Sequence, residues 1–432
     1  MKNTKKRRAV IIGGVRTPFL RAFGEFTPLS TIDLGAQAVK GLLKQFPIAW
    51  KEIDSMIWSG VILPGATVNV GREIIFDLGL PMDIEAYTIT RVCTSSLCAI
   101  TLASAAIERG EADVMIAGGS DSTSNAEVKM PQSLVHKFAP VVLSPKSTVK
   151  DYFRLLTNLN PTKDLIPQRP AIRERFTGEL MGESAEKMAA RNQISRKTQD
   201  IFAMQSHQRA AKAIETGRFA SEITPVELPN KSKIHADNIV RGNTSLEKLS
   251  KLKPVFAKNG TLTAGNSSTL TDGAAAVLIM ELEKAKSLGF SPLSRFRSWS
   301  YDAVDPTDQL LIGPAISMPK AMHQAGMTKT DIDLIDIHEA FSAQVLSVLK
   351  VLGSNQFARD RLGFDKAFGE VDPEDINIHG GSVALGHPFA ATGARMVITM
   401  SNELKLSGKS TALLGICGAG ALSAAAILEA VN

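Results

Sequence analysis

Residues 91–119 read RVCTSSLCAITLASAAIERGEADVMIAGG and carry the pattern of one α/β unit. The stretch from Ser95 to Arg109 is rich in Ala and Leu, which predicts a buried helix that Gly110 ends. Val114 to Ala117 is a short apolar run that leads into Gly118-Gly119. A buried helix followed at once by a buried strand indicates an α/β fold whose sheet is covered on both faces.

The same order of elements recurs in the second half of the chain. Ala390 to Leu406 is the predicted helix, Gly408 its stop, and Thr411 to Ile416 the strand, which runs into Cys417-Gly418-Ala419-Gly420. A preceding helix and strand also recur, at 34–45 and 56–58 in the first half and at 315–326 and 334–337 in the second. This repetition predicts a duplicated α/β fold. The alternative is a chance similarity, because the halves match by element order and not by high identity.

The predicted domains are residues 1–290 and 291–432, with the two halves meeting near Ser291-Pro292. An insertion at about 122–252 interrupts the first half and contains an amphipathic helix from Thr198 to Thr216. A long insertion in a compact domain is usually functional and is often a binding lid. A surface subdomain with no part in the chemistry is the alternative.

The composition excludes several classes of protein. The 432 residues are 44% hydrophobic and 21% charged, and five cations of the +6 net charge lie in the first eight residues, MKNTKKRR. The rest of the chain is therefore nearly balanced, and we expect no nucleic-acid partner. The three cysteines form no disulfide framework and have no metal-site spacing. No segment is apolar enough to span a membrane, so we expect a cytoplasmic protein; a short organelle presequence at the basic N-terminus is the alternative.

One residue stands at the predicted helix start of each half. Cys93 precedes the helix at Ser95, where a helix N-terminus is expected to lower the pKa of the thiol and to hold an oxyanion. His387 precedes Pro388 at the start of the second-half helix, in the mirrored position. Two helix starts that pack near a pseudo-twofold axis would bring thiol and imidazole together. A structural histidine is the alternative.

Two further candidates follow predicted strands. Cys417 ends the last buried strand before a Gly-rich turn, where a thiol could act as an acid or base or be only a buried structural residue. His338 follows the strand 334–337, a position that favours a site residue. Glu339 could equally be a charge at a helix start.

Other residues in the chain give weaker signals. Cys98 lies within the predicted helix and is expected to be core. The segments 265–268 and 271–274 predict tight loops beside a helix from Gly273 to Ile279, and they match no P-loop or Rossmann fingerprint. The remaining histidines are expected to be structural or surface residues: His136, His207, His235, His323 and His379.

Together these segments resemble the thiolases. Their four catalytic loops are matched by VCTSS at Cys93, HEAF at His338, GGSVALGHP at His387 and the Gly-rich turn after Cys417. TAGNSSTLTDGAAA (263–276) and MGESAE (181–186) match further signatures, so the likeness covers nearly the whole chain. HEAF in place of the more usual NEAF, and the stretch 152–186, resemble the 3-ketoacyl-CoA thiolase subunits of bacterial fatty-acid β-oxidation complexes.

The resemblance implies a thiolase fold, with a duplicated five-layered αβαβα core and an inserted loop domain that holds CoA. It implies that Cys93 attacks the keto carbonyl of a medium- or long-chain 3-ketoacyl-CoA, that His387 helps to form the thiolate, and that Cys417 protonates the departing acetyl-CoA carbanion. A second CoA then takes the acyl group, and the reverse reaction is a Claisen condensation. CoA and acyl-CoA are substrates, and no further cofactor is implied.

The resemblance also implies two oxyanion sites. His387 and a water held by His338 would form one, and the backbone N–H groups of Cys93 and Ala419 would form the other. Three positions depart from the usual pattern of Gly, Gly and Gln in the last loop: Ala419, Ala421 and Leu422. These departures leave every reacting group in place but change the pocket wall.

For CoA, the resemblance points to Met181 at the loop-domain wall, Arg241 near the nucleotide and Ser268 on the pantetheine path. Arg241 could equally be an ordinary surface charge. The resemblance suggests a homodimer and a complex with a hydratase/dehydrogenase alpha subunit. The hydrophobic and basic run 130–150 is a candidate contact with a partner or membrane surface, or internal packing.

Three alternatives compete with this hypothesis. One is a short-chain acetoacetyl-CoA thiolase that works in synthesis. A second is a decarboxylating ketoacyl synthase, against which Cys417 argues because those enzymes typically have His or Asn there. The third is a non-catalytic partner, which is disfavoured because all four site positions are filled.

Overall fold

The computed structural model describes residues 7–168 and 173–431. Residues 1–6 of the basic N-terminal run, and 169–172 within the stretch 152–186, lie outside the described residues. The strands of the described chain are β1 (Ala9–Arg16), β2 (Leu20–Arg21), β3 (Ser55–Ser59), β4 (Glu85–Ile89), β5 (Val114–Ser122), β6 (Val226–Glu227), β7 (Lys233–Ile234), β8 (Thr271–Glu281), β9 (Ser294–Ala303), β10 (Leu334–Ile337), β11 (Thr411–Gly418) and β12 (Leu422–Ala430).

The helices vary widely in length, and short 3₁₀ turns adjoin several of them. The α-helices are α1 (Thr31–Gln45), α2 (Val70–Asp77), α3 (Ser95–Arg109), α4 (Gln132–Val142), α5 (Val149–Thr157), α6 (Pro161–Asp164), α7 (Met181–Arg191), α8 (Arg196–Glu215), α9 (Leu246–Ser250), α10 (Leu282–Ser287), α11 (Pro306–Gln309), α12 (Pro314–Ala325), α13 (Ser342–Leu352), α14 (Asn355–Phe357), α15 (Ser382–Leu385) and α16 (Thr392–Ser407). A 3₁₀ turn, Phe389–Ala391, leads into α16. Among the described residues, no helix has both the length and the apolar character needed to cross a bilayer.

The main sheet shows the duplication directly. Its first half has the order β4-β3-β5-β8-β1 and its second half β10-β11-β12-β9, and the two are joined where Ile11 pairs with Ser294. Each half combines parallel and antiparallel pairing. β3 pairs in parallel with both β4 and β5, as β10 does with β11, and the pairs β5-β8, β8-β1, β11-β12 and β12-β9 are antiparallel. Ile376 bridges to β10 in parallel, where β4 stands in the first half. The predicted duplicated α/β fold is confirmed.

Three apolar clusters divide the fold into five layers. One cluster holds α3 and α16 between the two half-sheets. Another packs α1 and α2 on the outer face of the first half-sheet, and a third packs α12 and α13 on the outer face of the second. Within β1, Val10 and Ile12 face the outer cluster and Ile11 the central one, as the two-residue period of a strand requires. This is the predicted αβαβα order.

The predicted helix from Gly273 to Ile279 is wrong, because this segment is part of strand β8. Every residue of β8 is buried, with alternate side chains in the central and outer clusters. A short apolar run without a polar face has the same pattern in a fully buried strand as in a buried helix. The Ala-rich composition therefore misled the prediction.

The central helices end where their glycines predict. Gly110 follows α3 at φ 81° and Gly408 follows α16 at φ 69°, both left-handed. A Cβ on Gly393, in α16, would lie 2.7 Å from the backbone nitrogen of Leu97, in α3. The backbones of α3 and α16 are therefore in close contact at Gly393.

The inserted segment is divided. The described residues of 126–173 form a compact unit of their own, whereas α7, α8 and α9 belong to the larger unit. In the small unit, one face of α5 exposes Val149 (86%), Phe153 (68%) and Leu156 (63%). Lys150 and Arg154 on the same helix are also exposed. The small unit thus presents an apolar face beside basic groups.

Candidate active site

Cys93 lies on a strained turn at the start of α3. Val92 has φ 45°, a conformation that a β-branched residue rarely adopts. The Ser95 hydroxyl donates to the Val92 carbonyl (2.5 Å), and the Arg91 N–H donates to Ser95 Oγ (2.7 Å). These bonds hold the turn that presents the thiol. Nothing in the sequence signalled the strain at Val92.

The electrostatics of Cys93 differ from the prediction. Burial raises the pKa of the thiol to about 11, and the Ala419 N–H acts in the opposite direction. The expected lowering of this pKa at the helix start is therefore wrong, because loss of solvation outweighs the nearby N–H groups. Cys93 is a protonated thiol at neutral pH, so its attack requires a base.

His387, the predicted base, is a neutral imidazole with one ring nitrogen held by a hydrogen bond. Its Nδ1 is hydrogen-bonded to Thr392 Oγ1 (2.7 Å), and its backbone N–H donates to Thr271 Oγ1 (3.0 Å). Burial lowers the pKa of the imidazole to about 3, so the ring is neutral. Its Nε2 is buried and has no hydrogen-bond partner among the described residues. When Nδ1 donates to Thr392, the Nε2 lone pair can accept a proton.

His338 lies directly against His387. The two ring centroids are 4.1 Å apart, and His338 Nδ1 is hydrogen-bonded to Ser382 Oγ (2.9 Å). Burial lowers the pKa of His338 well below its usual value. Its Nε2, like that of His387, is buried without a partner in the described chain. Two neutral imidazoles thus offer adjacent nitrogens to a substrate or water oxygen.

Glu339 organises the loop between these histidines. It is fully buried and accepts hydrogen bonds from the Ser206 hydroxyl (2.7 Å), the Asn377 side-chain amide (2.7 Å) and the Val383 N–H (3.1 Å). A Cβ on Gly381 would lie 2.3 Å from its carboxyl carbon. Its interpretation as a helix-start charge is wrong, because α13 begins three residues later and Glu339 holds the loop before His387.

Cys417 is a second protonated thiol beside the first. It lies buried near the end of β11, and burial, followed by the repulsion that an ionised Cys93 would exert, raises its pKa well above the usual value. A Cβ on Gly418 would lie 3.0 Å from Val92 Cγ2, so the turns that carry the two cysteines are in contact. A protonated thiol in this position can donate a proton to a carbanion.

In the turn after Cys417, Ala421, one of the three residues that depart from the usual thiolase pattern, has a strained backbone conformation. Gly420 has φ 67° and Ala421 has φ 56°, so alanine occupies a left-handed position that favours glycine. The Gly420 N–H donates to Glu174 Oε2 (2.8 Å), which fixes the turn. The neighbouring Ala419 N–H interacts with the Cys93 sulfur.

The three CoA candidates occupy different surroundings. Ser268 is next to the catalytic loop, where its N–H donates to the Ala340 carbonyl (3.0 Å). Met181 begins α7 and is half-buried. Arg241 is exposed, and its backbone N–H donates to His207 Nδ1 (3.1 Å), so His207 is a structural residue as predicted.

Cys98 is separate from this cluster. It is partly exposed and interacts with the Tyr301 hydroxyl. The prediction that Cys98 is core is therefore wrong, because its face of α3 is not fully covered.

The site as a whole combines protonated thiols at Cys93 and Cys417, two neutral imidazoles and a backbone N–H at the Cys93 sulfur. The sequence analysis named these groups but not Asp121, whose carboxylate is buried at the end of β5 and whose charge acts on the Cys93 thiol. An acidic residue two positions after Gly119, at the end of a predicted buried strand, was the available signal. Such an arrangement suits covalent transfer of an acyl group through Cys93.

Comparisons with known proteins agree with this geometry. The thiolase N-terminal domain matches residues 9–283, and the thiolase C-terminal domain matches 290–430. The 3-ketoacyl-CoA thiolases of Colwellia psychrerythraea and Escherichia coli O7:K1 are each 41% identical over 98% of this chain and 97% of theirs. Two solved structures each align over 99% of both chains: Bacillus anthracis acetyl-CoA acetyltransferase (TM-score 0.82, 29% identity) and human mitochondrial 3-ketoacyl-CoA thiolase (TM-score 0.81, 28% identity). The chain belongs to the thiolase family.

Proposed function

We propose that this protein is a 3-ketoacyl-CoA thiolase, an acyltransferase that cleaves medium- and long-chain 3-ketoacyl-CoA in fatty-acid β-oxidation. The observation that carries the proposal is the contact between the turns of Cys93 and Cys417, with two neutral imidazoles in the same catalytic loops. The curated relatives at about 40% identity bear the name 3-ketoacyl-CoA thiolase, which supports the same substrate class.

In the first step, Cys93 Sγ bonds to the keto carbon while His387 Nε2 accepts the thiol proton. The carbonyl electrons move to oxygen, where the N–H groups of Cys93 and Ala419 stabilise the negative charge. Because burial keeps the pKa of Cys93 at about 11, proton transfer accompanies the attack and no thiolate accumulates beforehand.

In the second step, the tetrahedral intermediate collapses and the bond between the α and β carbons breaks. Cys417 protonates the departing acetyl-CoA carbanion, whose enolate oxygen is held by His387 and a water at His338. The acyl group remains as a thioester on Cys93. The thiol of a second CoA then attacks this thioester; its proton restores Cys417, and the proton on His387 returns to the Cys93 sulfur.

Chain length distinguishes this proposal from its close alternative, a short-chain acetoacetyl-CoA thiolase. The solved relatives include both a 3-ketoacyl-CoA thiolase and an acetyl-CoA acetyltransferase, so the fold alone does not separate the two. HEAF at 338–341 and the names of the curated relatives favour the longer substrates.

A thiolysis assay over a ladder of 3-ketoacyl-CoAs from four to sixteen carbons tests the proposal. We expect kcat/KM to be highest for medium or long chains. Activity confined to acetoacetyl-CoA would support the alternative. A malonyl-CoA condensation assay serves as the control for decarboxylating chemistry, and we expect no product in it.

The substrate contacts and partners are part of the proposal. We assign Ser268 to the pantetheine path, Met181 to the loop wall and Arg241 to the nucleotide, with CoA and acyl-CoA as substrates and no further cofactor. The partly buried Met181 and the position of Ser268 beside Ala340 support the first two assignments. We expect Arg241→Ala to raise the KM for CoA and to leave kcat unchanged.

We also propose a cytoplasmic homodimer that can join a hydratase/dehydrogenase alpha subunit. Edge strand β4 pairs with β3 and exposes Tyr87, which supports sheet-edge pairing between two copies. The apolar face of α5, at Val149 and Phe153, supports a partner surface on the small unit. Light scattering after gel filtration tests the assembly, and a monomer would contradict it.

A further inference from the structure

We infer that Asp121 is a positioning residue for acyl transfer, because it fastens the segment that follows His387 to the half of the fold that carries Cys93. This inference rests on the proposed function. Asp121 lies at the end of β5, and its side chain is fully buried. It is neither the nucleophile nor the base of the reaction, and nothing in the comparisons assigns it a role.

The two carboxylate oxygens of Asp121 hold different parts of the chain. Oδ1 accepts from the backbone N–H groups of Val61 (2.9 Å) and Ile62 (2.6 Å), in the loop after β3. Oδ2 accepts from the backbone N–H of Ala390 (2.7 Å), three residues after His387. One side chain thus joins a loop of the first half to the start of the second-half helix.

The backbone of β5 at Gly119 and the 3₁₀ turn at Ala390 are in close contact. A Cβ on Gly119, two residues before Asp121 on β5, would lie 2.6 Å from the Ala390 carbonyl oxygen and 2.2 Å from Ser59 Oγ. The 3₁₀ turn 389–391 therefore rests on the β5 backbone, and Asp121 supplies the polar bond across that contact. Because Ala390 and His387 share this short segment, loss of the bond should shift the imidazole relative to the thiol.

The charge of Asp121 also acts on the nucleophile. Its negative charge is among the causes that raise the pKa of Cys93, and burial raises the pKa of Asp121 itself to about 6. A neutral residue at 121 would make the Cys93 thiolate easier to form. The weakened hydrogen bond to Ala390 would at the same time displace the His387 imidazole from its position relative to the thiol. Positioning and charge therefore move two measurable quantities in opposite directions, which general structural damage would not do.

The test compares full-length Asp121→Asn with wild type and with a matched control, Asp54→Asn. Asp54 caps the other end of β5, where its carboxylate accepts from the N–H groups of Asp113 (2.7 Å) and Val114 (2.9 Å). We expect Asp121→Asn to lower kcat for thiolysis by about 10- to 100-fold, as expected for a misplaced catalytic group, with little change in KM. Iodoacetamide should alkylate Cys93 about 3- to 10-fold faster at pH 8. The control should change neither quantity.

An unchanged kcat in Asp121→Asn would overturn the inference, and so would a parallel fall in kcat and alkylation rate. If Asp121→Asn does not fold, Asp121→Glu decides, because it keeps the charge and moves the oxygens. Its kcat should fall about 10-fold while alkylation stays at the wild-type rate; an unchanged kcat would overturn the inference. If wild type cleaves no 3-ketoacyl-CoA, the proposed function fails. The alkylation rates of Cys93 then still show whether Asp121 acts on the thiol.

Discussion

Cys93 and His387 hold equivalent places in the two halves of a duplicated fold. Cys93 lies two residues before α3, and His387 lies two residues before the 3₁₀ turn that leads into α16. Burial moves their pKa values in opposite directions, to about 11 for the thiol and about 3 for the imidazole. Both groups are consequently neutral at rest, although one is an acid and the other a base.

The comparison separates two contributions to the site. Duplication gives the two groups equivalent places, and α3 and α16, which follow them, cross in close contact. The buried setting then disfavours a resting thiolate–imidazolium pair, because both charged forms lose their hydration. In the proposed mechanism, the thiolate therefore forms only as the substrate arrives, when the N–H groups of Cys93 and Ala419 would stabilise the developing oxyanion.

The largest effect is expected when the thiol of the Cys93/His387 pair is removed. We expect Cys93→Ala to lower thiolysis by about 10⁴-fold or more, because no other group can carry the acyl chain. Circular dichroism should show an unchanged fold. Activity within tenfold of wild type would show that the His387 half acts without the thiol.

Removal of the Cys417 thiol should affect carbon–carbon bond cleavage much more than acyl exchange with CoA. We expect Cys417→Ala to lower cleavage of 3-ketoacyl-CoA by about 10²- to 10⁴-fold, because the carbanion loses its proton donor. Exchange of an acyl group between Cys93 and CoA involves no carbanion and should persist. If acyl transfer to Cys93 is lost while cleavage is retained, the roles of the two thiols are reversed.

The pH dependence of Cys93 alkylation sharpens the claim that the thiol is neutral at rest. Only the thiolate reacts, and its fraction stays small until pH approaches a pKa of about 11. In a Cys98→Ser background, the iodoacetamide rate should therefore rise about tenfold per pH unit from pH 7 to pH 10. A plateau near pH 8 would indicate an unperturbed or lowered pKa.

The smallest expected effect concerns the turn beside both thiols. Ala421 has φ 56°, which costs an alanine roughly 1–2 kcal/mol. We expect Ala421→Gly to raise the free energy of unfolding by about 1 kcal/mol after the entropic cost of glycine. The matched control, Ala424→Gly in buried β12, should destabilise the protein. Chemical denaturation measures both, and a loss of stability in Ala421→Gly would contradict the assigned strain.

Sequence reasoning succeeded where local chemistry decides the outcome. Gly110 and Gly408 predicted two helix ends because left-handed caps favour glycine, and the strand 334–337 was predicted with its observed bounds. It failed where tertiary burial decides. β8 has no polar face, so its period was misread, and the pKa of Cys93 depends on solvent exclusion by distant segments.

The hydrogen-bond partners of buried polar side chains also could not be predicted from the sequence. The hydrogen bond from the Ala390 N–H to the Asp121 carboxylate joins residues 269 positions apart, and no local sequence pattern predicts it. Glu339 looked like a helix-start charge because its partners, Ser206 and Asn377, lie on other segments.

The central claim is that Cys93 carries the acyl group, and mass spectrometry of the acyl-enzyme tests it most directly. The enzyme is mixed with a 3-ketoacyl-CoA in the absence of free CoA, quenched in acid and digested. We predict that the peptide containing Cys93 gains the mass of the acyl chain shortened by two carbons, and that added CoA removes it. An acyl group on Cys417, or no covalent adduct during active cleavage, would contradict the account.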